Sequence, residues 1–369
     1  MIQTLSSTIR RKEMEAVLTC MVDEKIGPGQ MNARLIQTFK ELTSCDGAVA
    51  FRSPAIALEY ALKALALPEG SSVVISALSP YWQILTLEKN GYKPVVLDVS
   101  EDTAQFSFAD AQNAVKDGAR LIILTETMGI LPDIKNFISL GVPVIEDVSQ
   151  SALSFYPEEG TPKPAEKVQK DVPDESAALK DELPKGKRAG MYGTFSIMGM
   201  EENDIITSGG GAVLFAPLRR DWSVLKKFTD QAPATDIMPD MNAALANVEL
   251  KEYVKNERVR KELFALYSRA VASSRHKTFV REDGWLSTVY SFPLVLNTGF
   301  KDVKNYAAKK GIEVRYAFES SAIALRQESL APSCICANSL LLRCALFPLY
   351  PRLGQKDAAK IVKVLSSLP

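Results

Sequence analysis

Three polar side chains, Asp98, Thr125 and Asp147, each close or nearly close a short apolar run, at residues 94–99, 120–125 and 142–147. Runs of this length and composition are strands of a parallel sheet covered on both faces, and such sheets seat their ligands at the carboxyl ends of the strands. The three residues are therefore candidates on geometry alone. Glu201 and Glu202 add an adjacent carboxylate pair, able with Asp147 to serve as general acid or base if a cleft brings them together. The chain has one histidine, His276, just past a long helical stretch. It is expected to be an exposed helix-end residue with no catalytic part. The five cysteines form no C-x-x-C pair, and with a single histidine the Cys334-x-Cys336 spacing makes no metal site. They are expected to be reduced, in a cytoplasmic protein.

Those residues need a frame, and the pattern supplies one. Helix-like stretches at 56–67, 86–90, 109–116 and 134–140 alternate with β-branched or apolar runs beginning at residues 72, 94, 120 and 142. Strands separated by helices predict an α/β fold with a mainly parallel sheet. A glycine-punctuated stretch, 190–215, predicts paired strands returning to that sheet. Residues 241–272 carry apolar side chains three and four apart over a length that predicts one long helix. A strand at 289–296 and helices at 301–310 and 355–368 predict a smaller α+β C-terminal domain. The expected division is a large domain over 1–250 and a small one over 251–369.

Composition bounds the rest. Forty-four basic and forty-four acidic residues balance, so no net field recruits nucleic acid or an anionic membrane. No run of about 18 apolar residues predicts a membrane span. The N-terminus has two early arginines without an apolar core behind them, which predicts an amphipathic helix and no signal peptide. Residues 157–188 are rich in Pro, Lys, Glu and Asp and poor in large apolar side chains. Such a segment cannot bury enough surface to offset its ordering entropy, so a disordered insert is expected there.

Six segments carry a resemblance. They are IRRKEMEAVL with IGPGQMNARLIQTFKE, GYKPVVLDVSEDTAQFSFADAQNAV, GVPVIEDVSQSALSF, GMYGTFSI and CALFPLYPRLGQKDAAKIVKVL. In this order and spacing the chain resembles the DegT–StrS group of nucleotide-sugar aminotransferases over nearly its full length. The resemblance implies a fold-type I aminotransferase architecture and pyridoxal phosphate as cofactor. It also implies a role in nucleotide-sugar or surface-polysaccharide metabolism. It makes Asp147 the partner of the pyridine nitrogen, Gln150 a support for the ring or its hydroxyl, Ser196 a phosphate contact, Ser53 a residual member of the phosphate cradle, and Tyr81, beside Trp82, a substitute for the aromatic that stacks on the ring.

The chain departs from that pattern where the resemblance expects the imine-forming lysine. From Ala189 to Leu218 there is no Lys, Arg or His, and Glu201 and Glu202 stand near the expected position. Ser53-Pro54-Ala55 replaces a phosphate-binding stretch, and proline donates no N–H. Asp236-Ile237-Met238 replaces a segment that in the family reaches the site across the dimer interface. Covalent cofactor binding is therefore expected to be absent. The leading expectation is a transaminase-inactive homodimer with a binding or scaffolding role, holding a nucleotide-sugar ligand. Two alternatives stand beside it: an inactive subunit completing an active paralogue, and a sugar-modifying enzyme working through carboxylates or a noncovalent cofactor.

Overall fold

The structure is a computed structural model, and it describes residues 1–158, 185–282 and 284–369. Helices α1 (Arg11–Val22) and α2 (Gln30–Thr43) lead into strand β1 (Gly47–Phe51) and helix α3 (Pro54–Leu65). Strand β2 (Ser72–Ser76), helix α4 (Tyr81–Lys89), strand β3 (Lys93–Leu97), helix α5 (Phe108–Lys116), strand β4 (Leu121–Thr125), helix α6 (Ile134–Ile138) and strand β5 (Val144–Asp147) follow in strict alternation. Short strands β6 (Phe155–Pro157) and β7 (Gly186–Arg188) come next, then β8 (Phe195–Gly199), β9 (Ala212–Ala216), α7 (Arg219–Thr229) and the long α8 (Asp240–Val271). The remainder is β10 (Phe292–Val295), α9 (Phe300–Lys309), β11 (Arg315–Tyr316), α10 (Ala322–Leu325), α11 (Gln327–Leu330), α12 (Ile335–Arg343), β12 (Cys344–Phe347) and α13 (Gln355–Leu365).

Seven strands form one sheet in the order β1-β9-β8-β5-β4-β2-β3, in which β9 alone runs against its neighbours. Alternation of side chains across each strand divides the core into two layers. Ile122, Leu124, Val144, Met198 and Val213 pack on one face against α2, α5, α6 and α8. Ile75, Ile123, Ile145, Phe195 and Leu214 pack on the other against α3, α4 and α7. With both faces covered, the strands can be apolar throughout, which is how they read in the sequence. The fold is thus the expected α/β one.

The small sheet, β10-β12-β11, is antiparallel and is backed by α9, α13 and the last turns of α8, where Tyr267 and Val271 join its core. Residue 250, the expected domain border, lies inside α8, so a single helix serves both halves.

Of the span 157–188 expected to be a disordered insert, residues 159–184 lie outside the described residues, and its described ends belong to strands. β6 and β7 pair in antiparallel register from Phe155↔Arg188 to Pro157↔Gly186. Buried Arg188 ties this pair to the large domain, donating from Nε to the Leu42 carbonyl at 2.8 Å and from Nη1 to the Leu153 carbonyl at 2.9 Å. Gly186-Lys187-Arg188 carries no strand pattern of its own; it becomes a strand because its partner β6 lies beside it in three dimensions.

Candidate functional site

A cavity of about 540 Å³ opens where the carboxyl ends of β4 and β5 meet the small domain. Its floor is Thr125 and Asp147, its sides the first residues of α3 and α4, and its roof the segment from Arg315 to Ser321. The loop leaving β8 contributes Glu201, Glu202, Asn203 and Asp204, and Tyr290 closes the back. Backbone bonds between Tyr81 and Ser320, and between Ala322 and Ser79, hold the start of α4 against the small domain.

Asp147 is 1% exposed, at the end of β5. Its Oδ1 accepts from the Ser149 backbone N–H at 3.1 Å and from the Ser149 hydroxyl at 2.5 Å. Its Oδ2 accepts from Gln83 Nε2 at 2.7 Å. Burial pushes the Asp147 carboxyl up, and the donors from Ser149 and Gln83 pull it back. Gln150 turns its side-chain oxygen to the Met128 N–H at 2.7 Å. That bond helps hold Met128 in the left-handed region at φ 56°, followed by Gly129 at φ 69°. Arg281 grips the same turn, donating to the Met128 and Gly129 carbonyls at 3.0 Å each.

The turn after β8 is acidic. Glu201 and Glu202 are exposed at the cavity mouth, and half-buried Asp204 accepts from the Glu201 N–H at 2.8 Å. Burial, then the charges of Asp147 and Glu201, push the Asp204 carboxyl up to about 7. Tyr290 is pushed up by burial and by the charge of Asp204. Among the described residues that line the cavity there is no lysine; the one guanidinium, Arg315, is paired with Glu319.

Of the residues singled out in the sequence, Ser53, Tyr81, Asp147, Gln150, Glu201 and Glu202 all line this cavity. Ser53 is spent on its own helix, its hydroxyl accepting from the Ile56 N–H at 3.2 Å as the N-cap of α3. Ser196 does not line it. The strand register sets Ser196 beside Glu146, on the opposite face from Asp147, and its buried hydroxyl donates to the Gly190 carbonyl at 2.7 Å.

Asp98 is also placed elsewhere: its carboxylate caps α12, accepting from the Cys336 and Ala337 N–H groups at 2.9 and 2.8 Å. Asp236 accepts from the Tyr60 hydroxyl at 2.9 Å and does not line the cavity of its own chain. His276, expected to be exposed, is instead 5% exposed, its Nδ1 accepting from the Asn297 N–H at 3.2 Å. All five cysteines are free thiols, and no cluster among the described residues could hold a metal ion. No helix among the described residues is long and apolar enough to cross a membrane.

Two members of the site escaped the sequence reading. Asp204 lies beside the carboxylates already noted. Gln83 is a long polar side chain on the buried face of α4, beside Ile84, Thr86 and Leu87, and that mismatch was its only signal.

Comparison with solved structures gives the same architecture at low identity. Spr1654 from Streptococcus pneumoniae, in its PMP form, superposes with a TM-score of 0.83 at 17% identity, over 98% of this chain and 96% of that one. The sugar aminotransferase CalS13 from Micromonospora echinospora gives 0.79 at 14%, over 99% of each chain. A variant of the GDP-4-keto-6-deoxymannose-3-dehydratase ColD with bound GDP-perosamine gives 0.80 at 14%, over 99% of this chain and 100% of that one. These likenesses establish the fold. The family model for DegT/DnrJ/EryC1/StrS aminotransferases matches residues 7–366, and the chain belongs to that family.

Proposed function

We propose that this chain is a family member that binds a sugar-nucleotide ligand in the cavity without transaminating it. Pyridoxal phosphate is the cofactor that the family implies, and the cavity fits only one end of it. Asp147 offers the acceptor that a pyridinium needs. Among the described residues no lysine lines the cavity, and Glu201, which can form no imine, leads the turn after β8. The start of α3 offers little to a phosphate, because Pro54 has no N–H and the Ile56 N–H is already given to Ser53. We therefore derive no step through the cofactor.

The observation that carries this reading is a cavity mouth lined by Glu201, Glu202 and Asp204, with no lysine among the described lining residues. The test is direct. Purified protein supplied with pyridoxal phosphate, glutamate and a nucleotide-linked keto-sugar should show no turnover. A rate on the order of 1 s⁻¹, ordinary for an enzyme, would overturn the reading.

One feature favours a second reading, carboxylate acid–base chemistry on a sugar. Burial raises both Asp147 and Asp204, but Asp147 is held by three donors while Asp204 is pushed up to about 7, an arrangement in which one carboxyl can serve as base and the other as acid. Loss of sugar turnover in Asp204→Asn would support it.

A dimer also belongs to the proposal. Met14, Leu18 and Met21 of α1 lie on one exposed helix face, each more than half exposed, which suits contact with a second copy or with a lysine-bearing paralogue. The protein is proposed to be cytoplasmic.

A further inference from the structure

Helix α1 lies on the molecule with its apolar side outward. Met14, Leu18, Met21 and Val22 are each more than half exposed, and the side chains that α1 buries are Glu13 and Cys20. An amphipathic helix on a protein surface ordinarily does the reverse. Half-buried Ala16 and Val17 supply the rest of the inward side, so little apolar area holds α1 against α8. A free helix of 12 residues is marginal in water, so α1 keeps its hydrogen bonds only while it is docked.

Under α1 sit two carboxyls. Glu13 is 1% exposed, and its Oε2 accepts from the Arg10 backbone N–H at 2.9 Å. Glu249 of α8 is 2% exposed, makes no ion pair among the described residues, and has Oε1 buried without a hydrogen-bond partner. Four charged groups act on Glu249: Glu13 and Arg10 from α1 and its cap, and Arg260 and Glu252 from α8. Both arginines are turned elsewhere. Arg10 donates to Asn256 Oδ1 at 3.2 Å and to the Pro351 carbonyl at 3.4 Å, and Arg260 donates to the Ile205 carbonyl at 3.2 Å. Glu252 is different, with Lys12 at 2.5 Å. Burial, then the charge of Glu13, push the Glu249 carboxyl up to about 8. A buried carboxyl without a cation of its own is tolerated as the neutral acid and costly as the anion.

We propose that Glu249 is a proton-dependent latch for α1: the neutral acid lets the helix lie on α8, and ionisation releases it. Lifting α1 takes Glu13 away and admits water to Glu249, so the released state binds one proton fewer than the docked one. Docking therefore weakens as the pH rises from the ordinary glutamate value, about 4.3, to about 8, and changes no further above it. The outward stripe of Met14, Leu18 and Met21 is then carried on a fixed helix at low pH and on a loose one at high pH. Contact with a second copy through that stripe should weaken in the same direction. That consequence rests on the dimer reading of the previous subsection, whereas the latch does not.

Hydrogen exchange of the intact chain, read by mass spectrometry at pH 5, 6, 7 and 8 and corrected for intrinsic rates, tests the latch. Amides of α1 should be less protected than those of β5 at every pH. Their protection should fall by up to tenfold per pH unit, the limit for one proton, and by at least tenfold from pH 5 to 8. In Glu249→Gln, which keeps the shape and removes the charge, the fall should vanish. Should that variant fail to fold, Glu13→Gln keeps an acceptor at the helix start, and its fall should level off at a lower pH than in the wild type.

Protection of α1 that is flat with pH, equal to that of β5, or as steep in Glu249→Gln as in the wild type would overturn the proposal. Two protein concentrations tenfold apart separate the latch from assembly. A fall that is the same at both supports the latch, whatever becomes of the dimer contact. A fall seen at one concentration alone belongs to assembly and overturns it.

Discussion

Asp204 Oδ2 accepts from the Glu201 backbone N–H at 2.8 Å, closing a tight turn as the chain leaves β8 at the cavity mouth. The bond joins two acidic residues, and its acceptor is pushed up to about 7 by burial and by the charges of Asp147 and Glu201. In the folded protein, then, Asp204 holds its proton over a pH range in which the unfolded chain has lost it.

A pH dependence of stability follows. Where the folded state binds more protons than the unfolded one, stability falls as the pH rises. For Asp204 the window runs from about pH 4, the ordinary value of a free aspartate, to about 7. Glu249, pushed up to about 8 by burial and by Glu13, adds a second loss over a window reaching higher. Chemical denaturation at pH 5, 6, 7 and 8 should therefore show declining stability. Asp204→Asn should flatten the lower part of that decline and leave the loss above pH 7. A wild-type profile rising from pH 5 to 7 would contradict the assignment.

Gly129 cannot be replaced cheaply. It sits at φ 69°, and a Cβ there would meet the Thr288 carbonyl oxygen at 2.5 Å and the Gln150 carbonyl oxygen at 2.9 Å. Both neighbours are backbone, so neither can swing aside. Gly129→Ala should cost about 2 kcal/mol or more from strain and crowding together. The same change should disturb the Met128–Gln150 bond, so ligand affinity should fall with stability. Thermal melts with binding measured beside them would check both.

Ser53 is predicted to matter to the helix and little to a phosphate. Ser53→Ala removes the N-cap of α3 and should cost about 1 kcal/mol. Inorganic phosphate at 10 mM should stabilise wild type and variant equally little, as seen by the shift in midpoint. A phosphate-dependent stabilisation present in wild type and lost in Ser53→Ala would restore a cradle to this position.

Arg188 tests the hairpin at the edge of the insert. Arg188→Met would leave the Leu42 and Leu153 carbonyls without their donor in a buried setting, at a cost of about 2–4 kcal/mol. Urea denaturation should show it as a lower midpoint at similar slope.

Much of this arrangement was legible in the sequence because it is local. The apolar runs of β4 and β5 sit where their composition placed them, and Asp147 falls at a strand end as read. Ser196 shows the limit of motif matching. Its type fits the family pattern, but position along β8 decides the face, and the pairing of Ser196 with Glu146 turns it into the core. Asp98 ends a strand too, yet the helix it caps begins 237 residues later, at Ile335, a distance no local pattern spans. Gln83 was hidden for the same reason, its partners lying 42 and 64 residues along the chain. His276 looked exposed because the chain around it is polar, and only the packing of the small domain buries it.

The proposed lack of transamination rests on the turn after β8, where Glu201 and Glu202 stand and no lysine lines the cavity among the described residues. The most direct measurement is the absorbance spectrum of the purified protein titrated with pyridoxal phosphate, taken before and after borohydride and followed by peptide mapping. The expected result is no imine band and no pyridoxyl group fixed to the chain at millimolar cofactor. A band that borohydride converts to a pyridoxyl-lysine would contradict it, and the mapped lysine would name the residue that has taken over the role.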